Sequence, residues 1–257
     1  MGDKLKIIVA GASGRLGKCL IRLIAASDDC ELLAGLVSEN SPSLGKDLGE
    51  LAGLPAMNIL ASYNTDGTNA DVMIDFSQAQ GFDELVDFCV MSETALVSGT
   101  TGLKQDQYDR LAHASKFIPV MWTSNFSINV QVLKNMLQII KQFTPAADCS
   151  INETHHIHKK DAPSGTAISL AQAVNSAGKM QKFSDSQFKL GDVKIEAVRK
   201  GEIPGIHEVT CELDSETITL EHSAHDPNVF AQGALQAALW IKNKANGFYD
   251  LNNVIMG

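Results

Sequence analysis

Residues 5–17 read Leu5-Lys6-Ile7-Ile8-Val9-Ala10-Gly11-Ala12-Ser13-Gly14-Arg15-Leu16-Gly17, an apolar run that breaks into glycines spaced three apart and opens a helical pattern over 14–26. The setting is strand, turn, helix. Gly11 permits the tight turn, Gly14 lets the backbone approach a pyrophosphate, and Gly17 lets helix and strand pack closely. N–H groups at the helix N-terminus then face the anion. The stretch is a GxxGxxG variant of the dinucleotide fingerprint, and its position after a buried strand gives it weight a bare motif lacks.

Outward from this turn, short apolar runs at 31–37, 72–76, 95–98 and 118–122 read as strands covered on both faces. Helical periodicity at 80–91 and 104–115 lies between them. Strands alternating with helices predict an α/β fold with a doubly wound parallel sheet. Segment 38–71 is mostly of loop composition, with weak strand signal around 57–60. Two polar turns, Gly99-Thr100-Thr101 and Thr123-Ser124-Asn125-Phe126, follow buried strands on the carboxyl edge, where open α/β sheets bind ligands. The second strand ends in Val37-Ser38-Glu39, with neither a clear acid for a ribose hydroxyl nor an arginine for a ribose phosphate, so NADH and NADPH stay equal alternatives.

Beyond residue 126 the pattern changes. A helix is expected over 128–143, a strand over 149–154, and a helix over 164–177. Runs at 193–199, 207–213 and 216–222 alternate in polarity, as strands of an antiparallel sheet with one wet face do, and Asp214-Ser215 makes a tight turn between the last two. An apolar helix over 229–242 returns to the first domain. The expected division is a dinucleotide-binding domain of 1–126 plus 229–257, with a substrate and oligomerisation domain of α+β type, 127–228, inserted.

The 257 residues carry 30 acidic against 21 basic side chains, a formal net charge of −9. Such a chain is a poor binder of nucleic-acid phosphates. Five cysteines (Cys19, Cys30, Cys89, Cys149, Cys211) are scattered and never spaced CxxC, so neither a disulfide framework nor a cysteine metal site is expected, and a reducing cytoplasm fits. No apolar run is long enough for a membrane span or a signal segment. Met1-Gly2 lacks the Ser or Thr of a myristoylation signal, with Lys6 in its place.

The most polar concentration is Glu153-Thr154-His155-His156-Ile157-His158-Lys159-Lys160-Asp161-Ala162-Pro163-Ser164-Gly165-Thr166. In an extended strand, His156 and His158 share one face and His155 the other. No HExxH helix accompanies the histidines, and no metal is expected. Pro163-Ser164-Gly165-Thr166 opens a helix whose N–H groups suit a carboxylate or phosphate. Lys159, Lys160 and the histidines would converge on one small anion, with a protonated Lys or His able to supply a proton. A nicotinamide site joined to an anion site with an acid is the equipment of reduction. Two other readings stay open: a regulatory sensor that binds NAD(P) without turnover, and a dehydrogenase of another small dicarboxylate or semialdehyde.

The stretches GASGRLG, SGTTG, TSNFSINV, ETHHIHKKDAPSGTA and RKGEIPGIHEV together resemble the bacterial dihydrodipicolinate reductases (4-hydroxy-tetrahydrodipicolinate reductases) of the diaminopimelate and lysine pathway, over essentially the whole chain. The resemblance implies a Rossmann domain, a central substrate domain whose sheet builds a homotetramer, a cytoplasmic location, and NAD(P)H-dependent reduction of a small dicarboxylate to tetrahydrodipicolinate. By position it implies His155 as proton donor or acceptor and Lys159 as proton donor, with His156, Gly165 and Thr166 on the substrate's carboxylates. Gly11, Ala12, Ser13, Gly14, Arg15, Leu16, Gly99, Thr100, Thr101, Thr123, Ser124, Asn125 and Phe126 would line the cofactor. The chain departs from the family pattern at Ile157, where Arg is frequent, at Asn129, where Gly is usual, at Pro227, near a usual Arg, and at the second-strand end, which lacks a Glu-Arg pair.

Overall fold

The computed structural model describes residues 3–65, 67–175, 178–226 and 228–257. The myristoylation position Gly2, the expected helix end at 177 and the departure at Pro227 lie outside them. In chain order the first half holds β1 (Leu5–Ala10), α1 (Arg15–Ala25), β2 (Cys30–Leu36), α2 (Leu48–Leu51), β3 (Ala61–Ser62), β4 (Val72–Asp75), α3 (Phe82–Met91), β5 (Ala95–Ser98), α4 (Gln105–Ala114) and β6 (Pro119–Trp122). Then come α5 (Ile128–Phe143), β7 (Asp148–His155), α6 (Gly165–Val174), β8 (Met180–Lys182), β9 (Gln187–Leu190), β10 (Val193–Arg199), β11 (Gly205–Glu212) and β12 (Thr217–Ala224). The chain finishes with α7 (Asn228–Ile241), β13 (Gly247–Tyr249) and α8 (Leu251–Met256). Two compact units result, one of 1–126 with 228–257, the other of 127–227.

The first unit is built on a parallel seven-stranded sheet in the order β13-β6-β5-β4-β1-β2-β3. Every residue of β4 and β5 is buried, which is why these strands read as unbroken apolar runs rather than alternating ones. Helices α3 and α4 contribute Phe82, Val86 and Leu111 to a core with Ile8, Met73, Leu96 and Val120. Each such side chain, fully removed from water, stabilises the fold by about 1.5–3 kcal/mol. α7 packs on α1, and its buried positions are mostly small, Ala231, Gly233, Ala234, Ala237 and Ala238. The weak strand signal at 57–60 is not a strand. Asp47 accepts hydrogen bonds from the N–H groups of Gly49, Glu50 and Met57, so its carboxylate caps α2 and folds the loop around itself; Leu60 makes only an isolated bridge with Asp47, and pairing with β2 begins at Ala61.

The second unit has a six-stranded mixed sheet in the order β12-β11-β7-β10-β9-β8. Strands β11 and β12 are antiparallel as expected, but β10 runs parallel to β7. The helix α6 between β7 and β10 in the chain makes a crossover, and a crossover returns the chain in the same direction. β8 is three residues long and exposed, and β9, which buries Phe188 and Leu190, is four residues long, both too short to be read from sequence. On the covered face Leu133, Leu137, Leu170 and Ala171 pack over Cys149, Ile151, Ile195 and Val209. The expectation of no disulfide is corrected here: Cys149 and Cys211 are direct cross-strand partners in β7 and β11, with Cα atoms 4.1 Å apart and their sulfurs bonded. Register, which spacing over 62 residues does not reveal, brings them together. Cys19, Cys30 and Cys89 are free and buried.

Candidate active site

At the end of β1 the chain turns at Gly11 with φ of 77°, and the N–H groups of Gly11 and Ala12 both donate to the Leu36 carbonyl at 3.0 and 2.9 Å. A Cβ on Gly11 would press into the Phe76 carbonyl group, its carbon at 2.7 Å, and one on Gly17 would meet Ala12 Cα at 2.8 Å. Neither position has room for a side chain. Gly14 is the N-cap of α1, and no side chain caps that helix. Gly14 and Arg15 are exposed there. A bare helix N-terminus with a cation beside it and backbone that a ligand can touch fits the pyrophosphate of a dinucleotide.

The neighbouring loops are held by a residue that sequence reasoning missed. Asp75, buried at the end of β4, accepts hydrogen bonds from Ser98 Oγ at 2.7 Å, Thr100 Oγ1 at 2.7 Å and the Ser77 N–H at 2.8 Å. It ties the loops after β4 and β5 to each other. The Thr100 hydroxyl is thus spent within the protein, while Thr101 is exposed. Phe126 is buried edge-on against Phe76, with ring centroids 5.5 Å apart, and the Phe76 ring also backs Gly99, where a Cβ would come within 2.8 Å of it. Thr123 Oγ1 accepts from the Asn125 N–H at 3.3 Å, and the Thr123 N–H donates to Ser98 at 3.2 Å. Ser124 is exposed. An acid ending a buried strand was the available signal for Asp75.

In the second unit, the covered face of the sheet turns from apolar to polar at one end. On β7 the inward series is Cys149, Ile151, Glu153, His155; His207 stands opposite Glu153 on β11, and Arg199 opposite His155 on β10. Glu153 is fully buried. Its Oε1 accepts from Arg199 Nη2 at 3.1 Å and the Ser164 N–H at 3.0 Å, and its Oε2 lies 3.6 Å from His155 Nδ1 and 3.7 Å from His207 Nε2. The His155 and His207 rings meet edge to face at 5.0 Å. Gly205 makes room: a Cβ there would meet His155 Nε2 at 3.1 Å.

The strand ends at His155, so His156 and His158 lie beyond it in a turn and do not share a strand face; their rings are nonetheless 6.2 Å apart. Lys159 is half-buried and its Nζ is 2.9 Å from Asp161 Oδ1. Lys160 is exposed, and exposed His158 faces Glu202 at 3.5 Å. Ser164 caps α6 by accepting from the Ala167 N–H at 3.1 Å. Gly165 and Thr166 begin that helix, one exposed and one buried. The structure thus gathers His155, Lys159 and the α6 N-terminus around one loop, on which Lys160 and His158 are exposed. Arg199 and His207 were not foreseen; alternation along 207–213 was the signal that turns His207 inward with Val209 and Cys211.

Burial, together with the nearby Lys159 and Arg199 cations, pushes His155 down to about 4 against the opposing pull of Glu153. Burial, with His155 and His222 beside it, pushes His207 down to about 3. Both rings are neutral at pH 7. Glu153, His155 and His207 form a donor set of metal-ligating type, but the Arg199 guanidinium already supplies the carboxylate with its positive partner. Each histidine binds a proton in the unfolded chain near pH 6.5 and resists it when folded, so stability is lost as pH falls from 6.5 toward 4. The midpoint of thermal unfolding should drop between pH 7 and pH 5, and His207→Asn should flatten that slope; equal slopes would contradict the buried neutral state.

Comparison with known proteins covers the full length. The family model described as dihydrodipicolinate reductase, N-terminus, matches residues 5–126, and that described as dihydrodipicolinate reductase, C-terminus, matches 129–255. A protein of Xanthomonas campestris pv. campestris (strain B100) named 4-hydroxy-tetrahydrodipicolinate reductase is 38% identical over 259 residues, covering 98% of each chain. One of the same name from Pseudoalteromonas atlantica is 36% identical over 262 residues, covering 97% of this chain and 98% of its own. Among solved structures, the dipicolinate-bound dihydrodipicolinate reductase of Paenisporosarcina sp. TG-14 shares the fold, with a TM-score of 0.77 and 20% identity over 96% of this chain and 97% of its own.

Proposed function

The chain belongs to the dihydrodipicolinate reductase family, and from that premise we propose that its 156–166 loop binds the dicarboxylate substrate and that Lys159 delivers the proton of the reaction. The protein is an NAD(P)H-dependent reductase of lysine and diaminopimelate biosynthesis, converting 4-hydroxy-tetrahydrodipicolinate to tetrahydrodipicolinate. One hydride and one proton are added for each water lost. NAD(P)H, held through Gly11 to Leu16 with the loops at 99–101 and 123–126, supplies the hydride. The observation that carries the site is the pairing of a lysine with the α6 N-terminus, whose remaining N–H groups suit a carboxylate beyond the Ser164 cap, on a single loop anchored by the buried Glu153 carboxylate.

The roles divide by charge state. A lysine ammonium keeps its proton at neutral pH and can give it as a developing carbanion or nitrogen anion demands it. His155, neutral by burial, serves instead to hold and orient through its ring nitrogens. His156 with Gly165 and Thr166 receives the carboxylates, where the positive end of the helix favours them. We place the protein in the cytoplasm with its soluble coenzyme, and we expect a homotetramer assembled through the open face of the six-stranded sheet, whose residues alternate buried and exposed along β10 and buried and half-buried along β11.

The test is loss of nicotinamide absorbance, with NADH and NADPH in turn, when dihydrodipicolinate synthase supplies the unstable substrate. Turnover is the expected result, and a protein that binds cofactor without oxidising it would instead be a sensor. Pyridine-2,6-dicarboxylate should inhibit competitively with substrate. Competition with the cofactor alone would place the carboxylate site elsewhere.

A further inference from the structure

We propose that Glu153 and Arg199 are positioning residues that clamp the far end of the substrate loop, at Asp161 and Ser164, holding Lys159 and the α6 N-terminus in register with each other. The inference rests on the reading of this loop as the substrate's anion site. Glu153 Oε1 grips the Ser164 N–H at the loop's far end, and the same oxygen receives Arg199 Nη2. Arg199 Nη2 also donates to the Asp161 carbonyl, within the loop and two residues from Lys159. The near end is fixed by the backbone that follows Arg199: the Lys200 N–H donates to the His155 carbonyl at 2.8 Å, and the Ile157 N–H to the Gly201 carbonyl at 3.1 Å. Ser164 Oγ, which caps α6, is 3.2 Å from His207 Nε2. Every one of these contacts ends on the loop or its flanks.

A buried ion pair is an inefficient stabiliser, since desolvating both charges offsets their attraction, and apolar residues of equal volume commonly do as well. The apolar faces of β7 and β10 could have continued past Ile151 and Ala197. What the pair provides that apolar side chains do not is direction: a carboxylate and a planar fork fix an N–H and a carbonyl at set angles. Misplacement of a catalytic group by about 1 Å costs on the order of 100-fold in rate.

The deciding experiment is calorimetric titration of the full-length protein with dipicolinate, beside steady-state kinetics, for Glu153→Gln and Arg199→Lys. E153Q keeps the side chain's size and removes one negative charge. On charge alone a dianion would bind it more tightly. Loss of positioning predicts the reverse: dipicolinate affinity weaker and substrate KM higher by about 10- to 100-fold, with NAD(P)H affinity unchanged. Arg199→Lys keeps the charge but loses the fork, and should shift both quantities the same way; it carries the test if E153Q does not fold. Folded variants that bind dipicolinate as well as wild type, whatever their thermal stability, overturn the proposal. Wild-type protein that neither binds dipicolinate nor oxidises NAD(P)H with substrate overturns the functional reading on which it rests.

Discussion

Replacing Lys159 by alanine should lower kcat by about 10²- to 10⁴-fold, the range over which a positioned general acid acts, while NAD(P)H affinity stays as in wild type. The lysine is half-buried, and Asp161 Oδ1 at 2.9 Å fixes its Nζ at one place in the loop. Lys160, one residue on, is exposed and should tolerate the same change with little loss. Steady-state kinetics with a fluorescence titration of the cofactor separate the two sites. A matching loss of cofactor affinity in Lys159→Ala would move this residue out of the substrate site, and undiminished turnover would remove it as the acid.

The second large effect concerns the glycine turn. A methyl group at Gly17 would enter the backbone of the preceding turn, with Ala12 Cα and carbonyl carbon at 2.8 and 2.9 Å and the Gly11 oxygen closer still. Backbone cannot rotate aside as a side chain does, so Gly17→Ala must push α1 away from β1, at about 3 kcal/mol. For a chain of this size that lowers the thermal midpoint by about 6–12 °C. Displacing α1 also moves the helix N-terminus from the phosphate position, and cofactor affinity should fall by at least about tenfold. Gly53 provides the contrast: its φ is 78° but no atom lies within 4 Å of a Cβ there, so Gly53→Ala carries conformational strain alone, about 1 kcal/mol. If Gly17→Ala melts and binds NAD(P)H as wild type does, the close packing of this turn is not what holds the cofactor.

The parallel sheet was legible because burial on both faces writes itself as unbroken apolar runs, and the strands at 5–10 and 95–98 coincide with β1 and β5; in the other sheet, alternating polarity marks 193–199, which coincides with β10. The helix at 128–143 coincides with α5 for the related reason that a long periodic pattern carries its own length. What escaped were features that depend on pairing across the chain. The parallel alignment of β10 with β7, the Cys149–Cys211 disulfide and the joining of Glu153, Arg199 and His207 all arise from register between strands dozens of residues apart. Residue type could nominate His155 and Lys159 as acids, but the lowered pKa of His155 comes first from burial, which is not written near it in the sequence, with the Lys159 and Arg199 cations adding to it.

The joining of residues 228–257 to 1–126 has a consequence for how the polypeptide emerges from a ribosome. When residue 126 leaves the exit tunnel, α1 has no α7 to cover it, and β6 lacks the neighbour it finds in β13. The intervening segment, 127–227, takes about 5–20 s to translate at the usual ~5–20 residues per second. During that interval the nascent nucleotide fold waits with an open edge and an uncovered helix face, while the later unit has all its strands to hand and can finish first. Chaperone capture of stalled nascent chains should therefore peak for lengths between these two boundaries and decline once α7 is out.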